Sequence, residues 1–431
     1  MFMLESHLSA DQNRAVAELI KEASLANVNL FLTGGAMRDM LGGFQVRDLD
    51  FTVEGNALKL AKAVATRTNA RILETDDNRK SMELLFPSGV RAEISMSRQE
   101  EYARTGARPK VTPAPIQDDL RRRDFTINAI ALSLNRSSRG LLIDPTNGLA
   151  DLGNKELRAT HSYTFFDDPS RLLRLIRFRV RFGFMVDERT ERQYQNAREA
   201  NVEKYIGGRH LFEELRCIAE EQSAADVLRA FEKDGLLSIF SETLAGPKLS
   251  FPSLAKLERL KRMFPVNEGF RVGGLAPFLC VLTEKFNPRE RSALAKTLEM
   301  RRSELDVWQK LEPRVKKLEH ELKSARLRQP SQIYQVVSKA AGEEVLYLMY
   351  RSQQKIVQDR LRNYLQKYYP AAQEVTDAEV EKAGAKPGSP KFAKLKEQLI
   401  ITRLNTRKKP APPPPELVAP VPVMAGRERR G

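Results

Sequence analysis

Two aspartates two positions apart, Asp48 and Asp50 with Leu49 between them, follow a Gly34-Gly35 pair and Arg38 in the stretch Phe31 to Gly55. Successive side chains of a strand point to opposite faces, so this D-x-D puts both carboxylates on one face, where they repel unless a cation sits between them. Two hard cations held by aspartates about 3.5–4 Å apart are a device for in-line phosphoryl transfer. Gly34 and Gly35 let a backbone approach a ligand closely, and a helix after them offers free N–H groups to phosphate. Arg38, early in that helix, adds a guanidinium fork for the same phosphate.

The elements needed to position these groups are legible around them. Apolar Val28, Leu30 and Leu32 precede the glycines and a second apolar run carries the aspartates, giving strand, turn, helix, strand. Residues 8–26 and 56–68 have helical apolar spacing. Met82–Phe86 and Val90–Met96 flank Pro87-Ser88-Gly89 and are expected to form a hairpin, with Arg91, Glu93 and Ser95 on one face. Glu93 is thereby the candidate for a third carboxylate near the metals, against the ordinary alternative of a cross-strand pair with arginine. Residues 97–118 lack periodicity and are expected to be a loop, and Leu120–Leu134 a helix with Asp124 as its N-cap.

From Phe166 the chain reads FDDPSRLLRLIRFRVRFGF, with Asp168-Pro169 as N-cap and first helical residue. At 3.6 residues per turn Arg171, Arg174 and Arg177 step along one side, opposite Leu172, Leu173, Leu175, Ile176 and Val180. Like charges at that spacing destabilise a helix slightly unless anions lie among them.

The ordered motifs resemble those of the class II tRNA nucleotidyltransferases and bacterial poly(A) polymerases. Residues 34–50 are similar to G-G-x-V-R-D-x-L-L-G-R followed by D-x-D, with Met37 and Gly43 departing from the pattern. Arg122-Arg123-Asp124 resembles R-R-D, and Leu142–Leu157 resembles D-P-x-x-G-x-x-D-L, a connector. Residues 167–174 resemble E-D-x-x-R-x-x-R, with Asp167 in place of Glu. The resemblance implies that Asp48 and Asp50 are catalytic and hold Mg²⁺, and that Gly35, Arg38 and Arg123 cradle the triphosphate. It gives Asp124 a possible sugar contact, assigns the edge of the incoming base to Asp168 and Arg171, and turns Arg174 and Arg177 towards phosphate or sugar.

The implied fold is α+β, a small mixed-sheet head with helices followed by an all-α neck, body and tail. The divisions are 1–150, 151–225, 226–325 and 326–409, with a Pro-rich extension at 410–431. Residues 203–222 resemble the R-x-x-x-E-L helix that supports the neck, with Arg209 and Glu213 in internal pairs; Ala225–Leu237, Leu254–Met263, Leu311–Leu327 and Val345–Tyr369 read as helices. Gly384–Gly388 before a lysine-bearing helix resembles a G-x-x-P-G element of the tail.

Bulk properties agree. The 431 residues carry 72 Lys+Arg against 56 Asp+Glu, a formal charge of +16 that suits a polyanionic partner. Cys217 and Cys280 argue against a disulfide framework, agree with a reducing compartment and, with four scattered histidines, offer no zinc site. No apolar window approaches the roughly 18 residues of a membrane span, and the start has no secretory pattern, so a cytoplasmic location is expected. The expected activity is template-independent addition of C and/or A from CTP and ATP to the 3′ end of tRNA. The alternatives are a poly(A) polymerase and a non-catalytic RNA-binding protein on the same fold.

Overall fold

The computed structural model describes residues 6–264, 272 and 274–406; the Pro-rich stretch 410–431 lies outside the described residues. Helix α1 (Ala10–Ala26) opens on a reciprocal cap between Ser9 and Gln12, and β1 (Asn29–Thr33) follows. Then come α2 (Gly34–Leu41), β2 (Leu49–Glu54), α3 (Ala57–Thr68), β3 (Arg71–Asp76), β4 (Ser81–Leu85) and β5 (Arg91–Met96). With β8 (Ala131–Ser133) and β9 (Leu142–Ile143) these strands make one mixed sheet, ordered β3-β4-β5-β2-β1-β8-β9.

Within that sheet β2 and β5 pair in parallel and all other neighbours are antiparallel. Alternation then sorts the side chains. Leu49, Phe51 and Val53 of β2 and Ala92 and Ile94 of β5 enter a core shared with Leu19 of α1 and Leu60 and Val64 of α3. Asp50, Thr52, Glu93 and Ser95 point to the opposite face. The parallel register sets Asp50 beside Glu93.

Three expectations change. Residues 97–118 are not a plain loop: β6 (Arg98–Glu101) and β7 (Lys110–Pro113) form a small antiparallel ribbon. Leu120–Leu134 is not one helix either: α4 (Ile116–Arg121) ends early, a 3₁₀ turn spans Thr126–Asn128, and β8 follows. Apolar Ile130 and Leu132 gain more by completing the sheet beside β1 than an isolated amphipathic helix would, and both are buried. Nor does Val345–Tyr369 run unbroken, because Gly342–Arg351 and Lys355–Asn363 are separate helices.

Helix α5 (Arg171–Phe182) is closed by Gly183 in the left-handed conformation. Its N-cap residue is Ser170; Asp168 acts from two residues earlier, its Oδ1 accepting from the Ser170 N–H (3.1 Å) and Oγ (2.6 Å). Helix α6 (Gly208–Glu220) follows, with Arg209 paired to Glu213 (3.0 Å) and Glu304 (2.8 Å).

The chain groups into two compact units, residues 1–319 with 340–352, and residues 320–339 with 353–431. The first holds the sheet, α5, α6 and further helices. The second is helical, with Val375, Val380 and Ala385 packed beneath Phe392, Leu395 and Leu399 of the helix Pro390–Thr406.

Candidate active site

A cavity of about 460 Å³ in the first unit is lined on one side by Gly34, Gly35, Asp50, Glu93 and Arg123 and on the other by Asp168, Arg171 and Arg174. The acidic strand and the head of the arginine helix thus face one space. Asp48 precedes β2, is exposed, and lines an adjoining recess of about 180 Å³ that Asp50 and Gly35 also line.

The Gly-Gly turn is shaped around Asp50. Gly34 has φ +64°, and a Cβ there would lie 3.1 Å from Asp50 Oδ2 and 3.1 Å from an Arg123 guanidinium nitrogen, Nη1. A Cβ on Gly35 would meet Asp50 Oδ2 at 3.2 Å. The Ala36 N–H, in the first turn of α2, donates to the same oxygen at 3.4 Å. Any side chain at 34 or 35 would fill the approach to the carboxylate.

Burial, then the neighbouring Glu93 and Asp48 carboxylates, push the Asp50 carboxyl from 3.8 up to about 7, with Arg123 and the Ala36 N–H opposing. This crowding of acids is what a hard divalent cation relieves. Among the described residues no three acidic, thiol or imidazole groups converge on one point. The donor set therefore fits a cation held by one or two carboxylates, with phosphate oxygens and water completing the shell.

The titration predicts a sign. Folding binds the extra proton on Asp50 between about pH 4 and pH 7, so the cation-free protein loses stability as pH rises through that window. Melting curves should fall across it and be restored by added Mg²⁺ more strongly at about pH 8 than at about pH 5, and Asp50→Asn should flatten both effects. An unchanged pH profile in Asp50→Asn would refute the assignment of that carboxyl.

Arg123 is braced by its Asp119 ion pair (2.8 Å) and by the hydroxyls of Thr52 (3.0 Å) and Thr33 (3.3 Å). Asp119 is fully buried between Arg122 and Arg123; burial alone would raise its carboxyl, yet those two cations hold it down at about 2. Its spacing of three and four residues from them was a readable sign that it organises the arginine cluster. Glu100, on β6, pairs with Arg98 (2.8 Å) and Arg122 (3.1 Å), and no sequence signal marked it, since its segment lacks periodicity.

On the opposite wall Arg171 is buried. Its Nη2 donates to the Arg122 carbonyl (2.9 Å), while its buried Nη1 has no hydrogen-bond partner. Burial disfavours the Asp168 anion, but Arg171, His210 and the Ser170 hydrogen bond outweigh it and keep the carboxyl below its ordinary value. Both residues line the cavity, Asp168 bringing an acceptor and Arg171 a buried donor nitrogen whose hydrogen bond is unmade.

Several expected contacts are engaged elsewhere. Arg38 is buried; its Nε and Nη1 donate to Asp39 (2.8 Å) and Asn128 (2.7 Å), and it stacks 4.8 Å from the Phe182 ring centre. Its fork therefore ties α2 to Asn128 and to the Phe182 ring of α5 instead of lying open to phosphate. Asp124 is no helix cap. Its Oδ1 accepts from the Phe125 N–H and the Asn128 amide, and its Oδ2 from Arg174, so both oxygens expected at a sugar are satisfied internally. Arg174 stays at the cavity wall through that pairing. Arg177 leaves the ladder. It is buried against Glu214 (2.7 Å) and Glu221 (3.3 Å), because an unpaired guanidinium inside the fold would be prohibitive.

A mixed sheet whose acidic face meets a Gly-Gly helix start, followed by helices, defines the class of nucleotidyltransferase-type heads. Within that class, residues 30–158 match the model of the poly A polymerase head domain. An A-adding tRNA nucleotidyltransferase of Geobacter sulfurreducens is 27% identical over 94% of this chain and 46% of its own length. Another, of Halalkalibacterium halodurans, is 33% identical over 60% of each chain. The chain therefore spans less than two thirds of either relative. The solved structure of a CCA-adding enzyme in an apo form is 26% identical, with TM-score 0.54, over 94% of this chain and 95% of that one. No helix among the described residues is long and apolar enough to cross a membrane.

Proposed function

We propose that this protein is a template-independent nucleotidyltransferase that extends the 3′ end of tRNA with C and/or A from CTP or ATP, releasing pyrophosphate. The observation that carries it is the shared cavity: the Asp50–Glu93 acidic face and the Asp168–Arg171 pair border one space. The A-adding names of the two relatives make the terminal A the first addition to test. In such an enzyme residues 1–150 form the catalytic head, 151–225 the neck, 226–325 the body and 326–409 the RNA-binding tail.

Asp48 and Asp50 hold Mg²⁺, with Glu93 alongside. When bound, the cation lowers the pKa of the RNA 3′-hydroxyl and offsets the charge that builds on the departing pyrophosphate. The chain's own groups do the rest. The Gly34-Gly35 turn admits the triphosphate, and Arg123, fixed by Asp119, Thr33 and Thr52, meets it beside Gly34. Asp168, held ionised, accepts from the exocyclic amine that C and A share. The unpartnered Arg171 Nη1 donates to a ring nitrogen or carbonyl of the same edge. Side chains thereby replace a template strand. The basic surface suits recognition of the tRNA by shape and backbone.

The test is incorporation of each single nucleotide into tRNAs ending before C-C-A, after C-C, and after C-C-A. Addition to the first or second with arrest at a complete end supports the reading; a long A tail on any RNA would replace it with a poly(A) polymerase. Asp168→Ala should lower incorporation of the preferred nucleotide by about tenfold or more and flatten the choice between bases, since a site built to hydrogen-bond a group rejects analogues lacking it. Undiminished selectivity would refute the base-reading role.

A further inference from the structure

Seven arginines line the cavity, and six have a carboxylate within 4.0 Å: the pairs of Arg38, Arg98, Arg122, Arg123, Arg171 and Arg174 run from 2.5 to 3.9 Å. Arg79 is the exception among the described residues. It sits on the turn between β3 and β4, where the Asp76 carboxylate fixes the backbone by accepting from the Asn78 and Arg79 N–H groups (2.8 and 2.9 Å). The residue is half-buried, and its guanidinium reaches across to α6, where Nη2 makes an exposed contact 3.4 Å from Nε2 of His210 in the first turn. Arg79 lines the cavity without a carboxylate within 4.0 Å among the described residues, whereas the other arginines there are already paired, so its charge is the one left for an incoming anion.

Its position says which anion. Arg79 and His210 both act electrostatically on Asp168, so they stand at the base-reading end and not at the Gly34–Arg123 end that takes the triphosphate. An RNA whose 3′-hydroxyl lies by Asp50 must run out of the cavity past the incoming base, carrying its backbone phosphates with it. We infer that Arg79, positioned by His210, grips a backbone phosphate of the RNA's 3′-terminal nucleotides and so sets the primer against the incoming nucleotide. This deepens the function proposed above and rests on it. The group is a positioning residue, acting on the RNA and not on the reacting atoms.

The test compares wild type, Arg79→Ala and Arg79→Lys, using a tRNA transcript lacking its terminal A. Arg79→Ala should weaken RNA binding and raise KM for RNA about tenfold while leaving KM for the nucleotide within about twofold. It should also reduce the steepness of log Kd against log salt by about 0.7, the share of one single-stranded phosphate contact, and Arg79→Lys should restore that slope. A merely structural role would not move the slope. Wild-type RNA affinity and slope in Arg79→Ala would overturn the inference. So would a raised KM for the nucleotide alone, which would place the guanidinium on the triphosphate. Wild-type protein that adds no nucleotide would instead sink the proposed activity, while the salt slope would still report whether Arg79 touches RNA.

Discussion

Asp50→Asn abolishes nucleotide incorporation, by more than about 10³-fold, while the protein stays folded and still binds tRNA. Loss of a group that merely orients a metal ligand already costs about 10–100-fold, and Asp50 is itself the proposed ligand. The substitution keeps the shape that Gly34 and Gly35 close around, with their would-be Cβ atoms 3.1 and 3.2 Å from Oδ2, so packing is preserved. It also removes a carboxylate whose charge burial, Glu93 and Asp48 all oppose, so the cation-free variant should melt higher than wild type at about pH 8. Incorporation assays beside melting curves separate the two effects. Wild-type turnover in Asp50→Asn would remove the metal assignment and with it the proposed chemistry.

Arg177→Ala destabilises the first unit by about 3–5 kcal/mol, the cost of leaving buried acids without their cation. Glu214 and Glu221 are both buried, and Arg177 joins them at 2.7 and 3.3 Å. Below the melting transition the variant should keep the nucleotide preference of wild type, because Arg177 does not line the larger cavity. Denaturant unfolding followed with kinetics reads both quantities. A wild-type midpoint would show that the buried network bears no load, and a lost preference with an unchanged midpoint would return Arg177 to the nucleotide.

What could be read along the chain was whatever depends on near neighbours. The Gly-Gly turn and the amphipathic spacing of residues 8–26 and 56–68 are encoded within a few residues, and helices at Ala10–Ala26 and Ala57–Thr68 follow them; of the D-x-D, Asp50 lies in β2 while Asp48 just precedes it. Leu120–Leu134 misled because a short apolar run satisfies helix and buried strand alike, and only the place open beside β1 decides between them. Arg38, Asp124 and Arg177 read as ligand contacts because their partners are out of sight in sequence. Asn128 lies 90 positions from Arg38, Arg174 lies 50 from Asp124, and Glu214 lies 37 from Arg177.

The amino-acid order alone therefore determined the chemistry on offer: closely spaced acids at a strand start, a phosphate-ready helix start, an arginine-rich helix headed by Asp168. Tertiary structure decided which of those charges remain available. Burial forces every guanidinium it encloses to find a carboxylate, carbonyl or ring, and that pairing is settled by elements far apart along the chain. Arg177 was withdrawn into the interior in this way, Arg171 was left with an open donor, and Arg79, 131 positions from His210, was brought to the rim of the cavity.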